Sequence, residues 1–383
     1  MRRVRITPVL CALLVLAGCA PGTASRTLPA VGELAWREIA GSPLAPRQGA
    51  LGLWTGREVL LIGGSDEPPC PPNADCGLDR TPLADGAALD PRTGLWRRLA
   101  SSPHPFAIAS GVVLGGTAYV LPGGGEPRGQ PGLLAYDIAG DRWRELPVPF
   151  DPTRYGIAGT GDRLVAYLLS DETGDGADFA LDPSTGTWQR LPDDPLGPSF
   201  DRTVAWSGAE LVLFGRELVP DPNGEKPAIA RAAVLDPGAV WRRLPDSTIL
   251  SAGPWLLDEG RLVNPTLGGA DGGRVDNWGA TYPFGGILDV AGGRWSALPA
   301  PPGGVTVSAG ARGRSNALYL DVDGWLLDTT TQRWVRVPDA PDPEPTGHTL
   351  VAAGTEMLLF GGGRHDRPGG TLLNEVWVWS GPA

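Results

Sequence analysis

Six times the chain places an Asp five or six residues ahead of a Trp: Asp90 and Trp96, Asp137 and Trp143, Asp182 and Trp188, Asp236 and Trp241, Asp289 and Trp295, Asp328 and Trp334. A seventh Trp, Trp36, stands alone near the N-terminus. A mark that returns every 40 to 60 residues signals one supersecondary unit copied around or along an axis, because each copy buries its apolar face only against its neighbours. Between the marks, apolar residues alternate or run in short stretches bounded by Gly, Asp and Pro, as in Glu58–Ile62 and Glu356–Phe360. This is strand patterning, with no helical stripe. A unit reads as strand a (Gln48–Trp54), a turn at Thr55-Gly56, strand b (Val59–Ile62), a variable loop, strand c (Ala87–Leu89), a turn at the Asp, and strand d (Leu95–Leu99).

Both marker residues have mechanical explanations. An Asp side chain accepts hydrogen bonds from backbone N–H groups two residues on and so fixes the c–d turn; Leu89-Asp90-Pro91-Arg92-Thr93-Gly94 and Leu181-Asp182-Pro183-Ser184-Thr185-Gly186 repeat that turn almost letter for letter. The Trp that follows buries about 150–250 Å² between adjacent sheets. Neither is assigned to catalysis.

The C-terminal unit carries the most specific signature: Thr346-Gly347-His348-Thr349, then Leu358-Leu359-Phe360-Gly361-Gly362-Gly363, then Leu373-Asn374-Glu375-Val376-Trp377-Val378-Trp379. Gly-His, a double Gly after strand b and Asn-Glu-Val-Trp resemble the kelch repeat. The double Gly recurs at Gly63-Gly64 and Gly123-Gly124 and is missing from units three, four and six. The resemblance implies an all-β, seven-bladed kelch-type β-propeller over residues 34–380. Strand d is missing after Ser380, and Trp36-Arg37-Glu38-Ile39 supplies it from the other end of the chain, closing the ring and removing exposed edges.

The first residues read as an export signal: Arg2, Arg3 and Arg5, an apolar run from Val9 to Ala17, then Leu16-Ala17-Gly18-Cys19. The run is shorter than the roughly 20 residues that span a membrane. Leu16–Cys19 resembles the lipobox of bacterial lipoproteins, which implies a signal peptide over 1–18, diacylation of Cys19, a flexible tether over 19–33 and a location on the extracytoplasmic face of the cell membrane. Without residues 1–18 the chain has 29 basic against 43 acidic side chains, a formal charge of −14. Such a field disfavours nucleic acid as a partner. Cys70 and Cys76 then remain and are expected to pair in the oxidising compartment, a loop closure contributing roughly 2 kcal/mol.

Candidate site residues follow from loop lengths. The a–b turns are short (Thr55-Gly56, Gly115-Gly116, Gly161-Asp162, Ser207-Gly208, Gly354-Thr355), whereas segments 65–86, 216–230, 264–285 and 363–374 are long. Long loops gathered at one end of a rigid scaffold are where binding residues concentrate. Arg47, Arg154 and Arg202 stand near the starts of strands a in blades one, three and four, placed to hold a carboxylate in a bidentate pair or to tie neighbouring loops. Trp278 offers an aromatic platform beside Asp271, Arg274 and Asp276, and His365-Asp366 follows the triple Gly. His348 reads as a repeat residue. Asp171, Thr173, Asp175, Gly176 and Asp182 mimic calcium-loop spacing, but Asp182 belongs to the repeat turn and no helices flank the segment.

No metal or cofactor is expected. The scaffold resembles the central domain of galactose oxidase, but the sequence offers no obvious copper set. No nucleophile elbow, metalloprotease or phosphate-loop motif is present. The expected function is that of a monomeric, lipid-anchored binding or interaction protein holding an envelope protein, peptide or glycan on the long-loop face. A carbohydrate-active enzyme resembling the kelch-type sialic acid mutarotases is the alternative.

Overall fold

The computed structural model describes residues 36–69, 81–123, 132–217, 228–258, 260–265, 283, 285–299, 311–314, 317–320, 325–328, 331–336, 338, 346–354, 356–367 and 369–380. These residues form seven four-stranded antiparallel sheets and one two-stranded hairpin, the blades of a β-propeller. Blade 1 comprises Leu51–Trp54, Val59–Ile62, Gly86–Asp90 and Leu95–Arg98, paired in that order. The inner strands of blades 2 to 6 are Ile108–Leu114, Tyr155–Thr160, Ser199–Trp206, Leu256–Asp258 and Ala311–Arg314. The last blade orders Thr349–Ala353, Glu356–Phe360, Val376–Ser380 and finally Trp36–Glu38. Inner strands neighbour one another in sequence, and the last returns to the first.

Closure runs through the N-terminal strand, with Trp36 opposite Trp379, Arg37 opposite Val378 and Glu38 opposite Trp377. Burial explains the strand patterning: the two middle strands of a blade meet protein on both faces, so they read as continuous apolar runs. Val59–Ile62 and Ala87–Leu89 are buried throughout, whereas the outer strand Leu95–Arg98 is exposed at both ends.

The inner strand of blade 1 begins at Leu51, later than the Gln48 expected from the pattern, because Gly49 adopts φ 67° and breaks the strand. Gln48 instead makes a separate bridge to Ser65. The double Gly after strand b requires two successive left-handed residues, Gly63 and Gly64 at φ 66° and 91° and Gly361 and Gly362 at φ 63° and 92°. Only Gly adopts these without steric cost, and a Cβ on Gly64 would lie 2.7 Å from the Gln48 carbonyl oxygen.

The repeated Asp residues fix turns, two residues on as expected at Asp90 and Asp182 but three on at Asp137 and Asp289 and four on at Asp236. Asp90 accepts from the Arg92 N–H, Asp182 from Ser184, Asp137 from Gly140, Asp236 from Val240 and Asp289 from Gly292. The repeated Trp residues do more than fill space. Each outer-strand indole donates to the carbonyl four residues past the Trp of the preceding blade: Trp143 to Ala100, Trp188 to Pro147, Trp241 to Pro192, Trp295 to Pro245, Trp334 to Pro299 and Trp36 to Pro338. Trp96 breaks the series, since its indole nitrogen is buried without a hydrogen-bond partner.

Candidate functional site

Each inner strand is left through a short a–b turn, so its first residues lie at the opposite end of the ring. The start of the blade 4 inner strand is bulged between Phe200 and Thr203. Asp201 within the bulge takes φ 51°, a left-handed conformation uncommon for a residue with a Cβ. Bulges re-aim side chains. Here the exposed Asp201 carboxylate accepts from Arg216 at 3.1 Å, and the Arg216 guanidinium lies 4.8 Å over the Phe200 ring.

Beneath this surface, Arg202 is 1 % exposed. It donates to Asp178 at 2.7 Å, to Asp194 at 3.1 Å, to Ser199 Oγ at 3.3 Å and to the Leu168 carbonyl at 3.1 Å. One cation therefore serves two buried carboxylates, and Asp178 also accepts from the Leu168 N–H. Burial is the largest influence on Asp178, raising its pKa to about 6 against the pull of Arg202. A neighbouring carboxylate, Asp171, spends its oxygens on the Gly174 and Gly176 N–H groups. The calcium-like spacing is thus a turn that satisfies its own backbone, and no cluster suited to a metal occurs among the described residues.

Arg47 is held in the same manner in blade 1. It is 1 % exposed, donates to Asp85 at 2.7 and 3.0 Å, and also to the Gly63 and Ala45 carbonyls. Of the two roles open to Arg47 and Arg202, the geometry places both guanidinium groups in ties between loops and strands. Arg154 differs. It ends a short 3-10 turn, Pro152–Arg154, whose N-terminal residue Asp151 accepts from the Thr153 N–H. Its side chain is exposed and makes no hydrogen bond or ion pair among the described residues.

The backbone brings Arg154 to the same mouth as the bulge. The Leu169 N–H donates to the Arg154 carbonyl, and the Arg202 N–H donates to the Leu169 carbonyl, so one ladder runs from blade 3 into blade 4. Leu169 is 44 % exposed beside it. His365 and Asp366 lie on the small hairpin Gly363–Arg364 and Thr371–Leu372 of the last blade, away from this ladder. His365 Nε2 is buried without a partner, and Asp366 accepts from the Thr371 hydroxyl. Trp278, Cys19, Cys70 and Cys76 lie outside the described residues.

Sequence reasoning missed Asp85, Asp178 and Asp194. A usable signal was present, because Asp85 and Asp178 each immediately precede a strand c, at Gly86 and Phe179. The mouth therefore places an exposed cation, Arg154, and an exposed apolar side chain, Leu169, beside the buried Arg202–Asp178–Asp194 cluster. No protein-family model and no curated protein matches this chain.

Proposed function

We propose that this chain is a kelch-type seven-bladed propeller, lipid-anchored through Cys19 on the extracytoplasmic face of a cell membrane, where its long-loop end binds an envelope protein, peptide or glycan. Support for binding at that end comes from one contrast above all: Arg47 and Arg202 are consumed internally, whereas Arg154 stands exposed beside Leu169 on a floor braced by the Arg202 cluster. A guanidinium held free on a rigid rim is suited to a carboxylate or a polar, planar group. The −14 charge of the chain after residue 18 adds repulsion for acidic partners away from such local cations. Among the described residues no helix is long and apolar enough to cross a membrane, and the lipid at Cys19 supplies the attachment.

Two measurements test this reading. Mass spectrometry of the N-terminal peptide from envelope preparations should find a diacylated Cys19; an unmodified Cys19 removes the anchor. Photo-crosslinking from position 169 in the envelope should capture one dominant partner, and Arg154→Ala should reduce capture about ten-fold without changing the melting temperature. Unchanged capture places recognition elsewhere. Catalysed interconversion of sialic acid anomers, followed by NMR, would replace the binding role with the mutarotase alternative.

A further inference from the structure

The most exposed apolar side chains stand at the end of the ring opposite Arg154. Among the described residues Leu95 is 70 % exposed, Val240 62 % and Leu257 46 %, and all three lie at the short-turn end. Leu95 and Val240 directly follow the c–d turns of blades 1 and 4, and Leu257 adjoins the a–b turn that Asp258 and Arg261 close. The repeat does not call for an apolar residue at the first two positions. The residue ahead of the outer-strand Trp is Arg142, Thr187, Arg294 and Arg333 in blades 2, 3, 5 and 6. Arg142 and Arg294 pair with the Asp of their own turns at 2.9 and 2.6 Å. Blades 1 and 4 thus put an apolar side chain in water where the repeat carries a polar one.

The chain enters the ring at this same end. Trp36 lies opposite Trp379, Trp379 lies opposite Met357, and the neighbouring Glu356 lies opposite both Ser380 and Ala353 beside the turn at Gly354. Residues 20–35 separate Cys19 from Trp36, a length that spans at most roughly 60 Å. A lipid at Cys19 therefore holds the short-turn end nearest to the membrane.

The spacing of the prominences favours a lipid surface over a protein. Leu95 and Val240 stand on outer strands of separate blades and Leu257 on an inner strand, so they do not merge into one patch. Protein interfaces are built around a contiguous apolar centre, whereas a flat, deformable bilayer receives separate side chains. The half-buried indoles of Trp54 and Trp206, at the short-turn ends of two inner strands, add the ring type that concentrates at membrane interfaces.

We propose that the short-turn face lies on the lipid surface, with Leu95, Val240 and Leu257 entering the interface and the Arg154 rim turned away from the membrane. This orientation rests on the Cys19 anchor. Contact strength follows the apolar area removed from water, and the charge of −14 after residue 18 gives anionic headgroups no general attraction. Zwitterionic phosphatidylcholine is therefore the probe.

The acylated protein, purified from membranes and reconstituted with phosphatidylcholine vesicles, carries a fluorescent amino acid in place of Leu95, Val240, Leu257 or Leu169. Flotation with the vesicles reads the anchor, quenching reads the orientation, and melting temperatures verify folding. Spin-labelled lipid should quench the fluorophore at 95, 240 and 257 at least about three-fold more strongly than at 169, and aqueous iodide should do the reverse. Flotation with equal lipid quenching at every position, or with stronger lipid quenching at 169, overturns the orientation and leaves the anchor standing. Failure to float overturns both.

Discussion

Two clasps built from the same parts hold blade 1 and the junction of blades 3 and 4, yet their electrostatics run in opposite directions. In each, an Arg near the start of an inner strand reaches an Asp immediately before a strand c and a carbonyl at the end of a strand b: Arg47 with Asp85 and Gly63, Arg202 with Asp178 and Leu168. Asp85 is 39 % exposed and meets its Arg in a bidentate pair. The hydrogen bond from Arg47 dominates there and holds the Asp85 carboxyl below the usual carboxylate range. Asp178 is buried and shares Arg202 with Asp194, so burial outweighs the cation and its pKa rises to about 6. Identical chemistry changes sign with solvent access and with the number of carboxylates per cation.

Removing the cations separates the clasps most strongly. Arg202→Ala leaves two buried carboxylates without a counter-charge and should cost about 3–5 kcal/mol of folding stability. Arg47→Ala leaves Asp85 able to hydrate, so the loss should be about 1–2 kcal/mol, mainly from the orphaned Gly63 carbonyl and the vacated packing. Urea denaturation of the two variants measures the gap. Equal losses would mean that Asp194 and Asp178 find water or protons as easily as Asp85 does, and the comparison fails.

The pH response sharpens the same contrast. A carboxyl whose pKa is raised on folding binds a proton more tightly in the native state. Its contribution is therefore complete below about pH 4, the unfolded value, and is lost as pH rises through about 6. For Asp178 the loss should be on the order of 2 kcal/mol between pH 4 and 7. Asp85 acts oppositely, contributing above the unfolded value and losing its contribution as pH falls. Stability profiles of the wild type and Asp178→Asn should diverge in slope between pH 4 and 6, with the variant flatter; parallel profiles would show that Arg202 keeps Asp178 ionised throughout.

The clasps also mark where the sequence stops being legible. Turn-fixing Asp residues, outer-strand Trp residues and closure by Trp36 were readable because each repeats or completes a period, and periodicity is local information. The partners of Arg47 and Arg202 are not periodic. Asp85 is 38 residues from Arg47 and Asp178 is 24 from Arg202, the first within one blade and the second across two. A lone sequence offers Arg47, Arg154 and Arg202 as three similar residues near strand starts. Only the packing distinguishes two internal ties from one exposed cation.

The smallest predicted effect concerns the outer ring, where a similar pair of residues separates packing from hydrogen bonding. Trp143 and Trp96 are both half-buried at equivalent places in successive blades. Trp143 donates to Ala100 at 2.8 Å, while the Trp96 indole nitrogen is buried and unpartnered. The acceptor that the series would supply to Trp96 is the Ala40 carbonyl, which Gly41 follows at φ 82°. Phe in place of either Trp removes a comparable part of the ring, so the difference between the two variants isolates the hydrogen bond. Trp143→Phe should cost about 1 kcal/mol more than Trp96→Phe. Thermal denaturation of both variants measures that difference, and a Trp96→Phe loss equal to that of Trp143→Phe would mean that the six indole bonds position the blades without stabilising them.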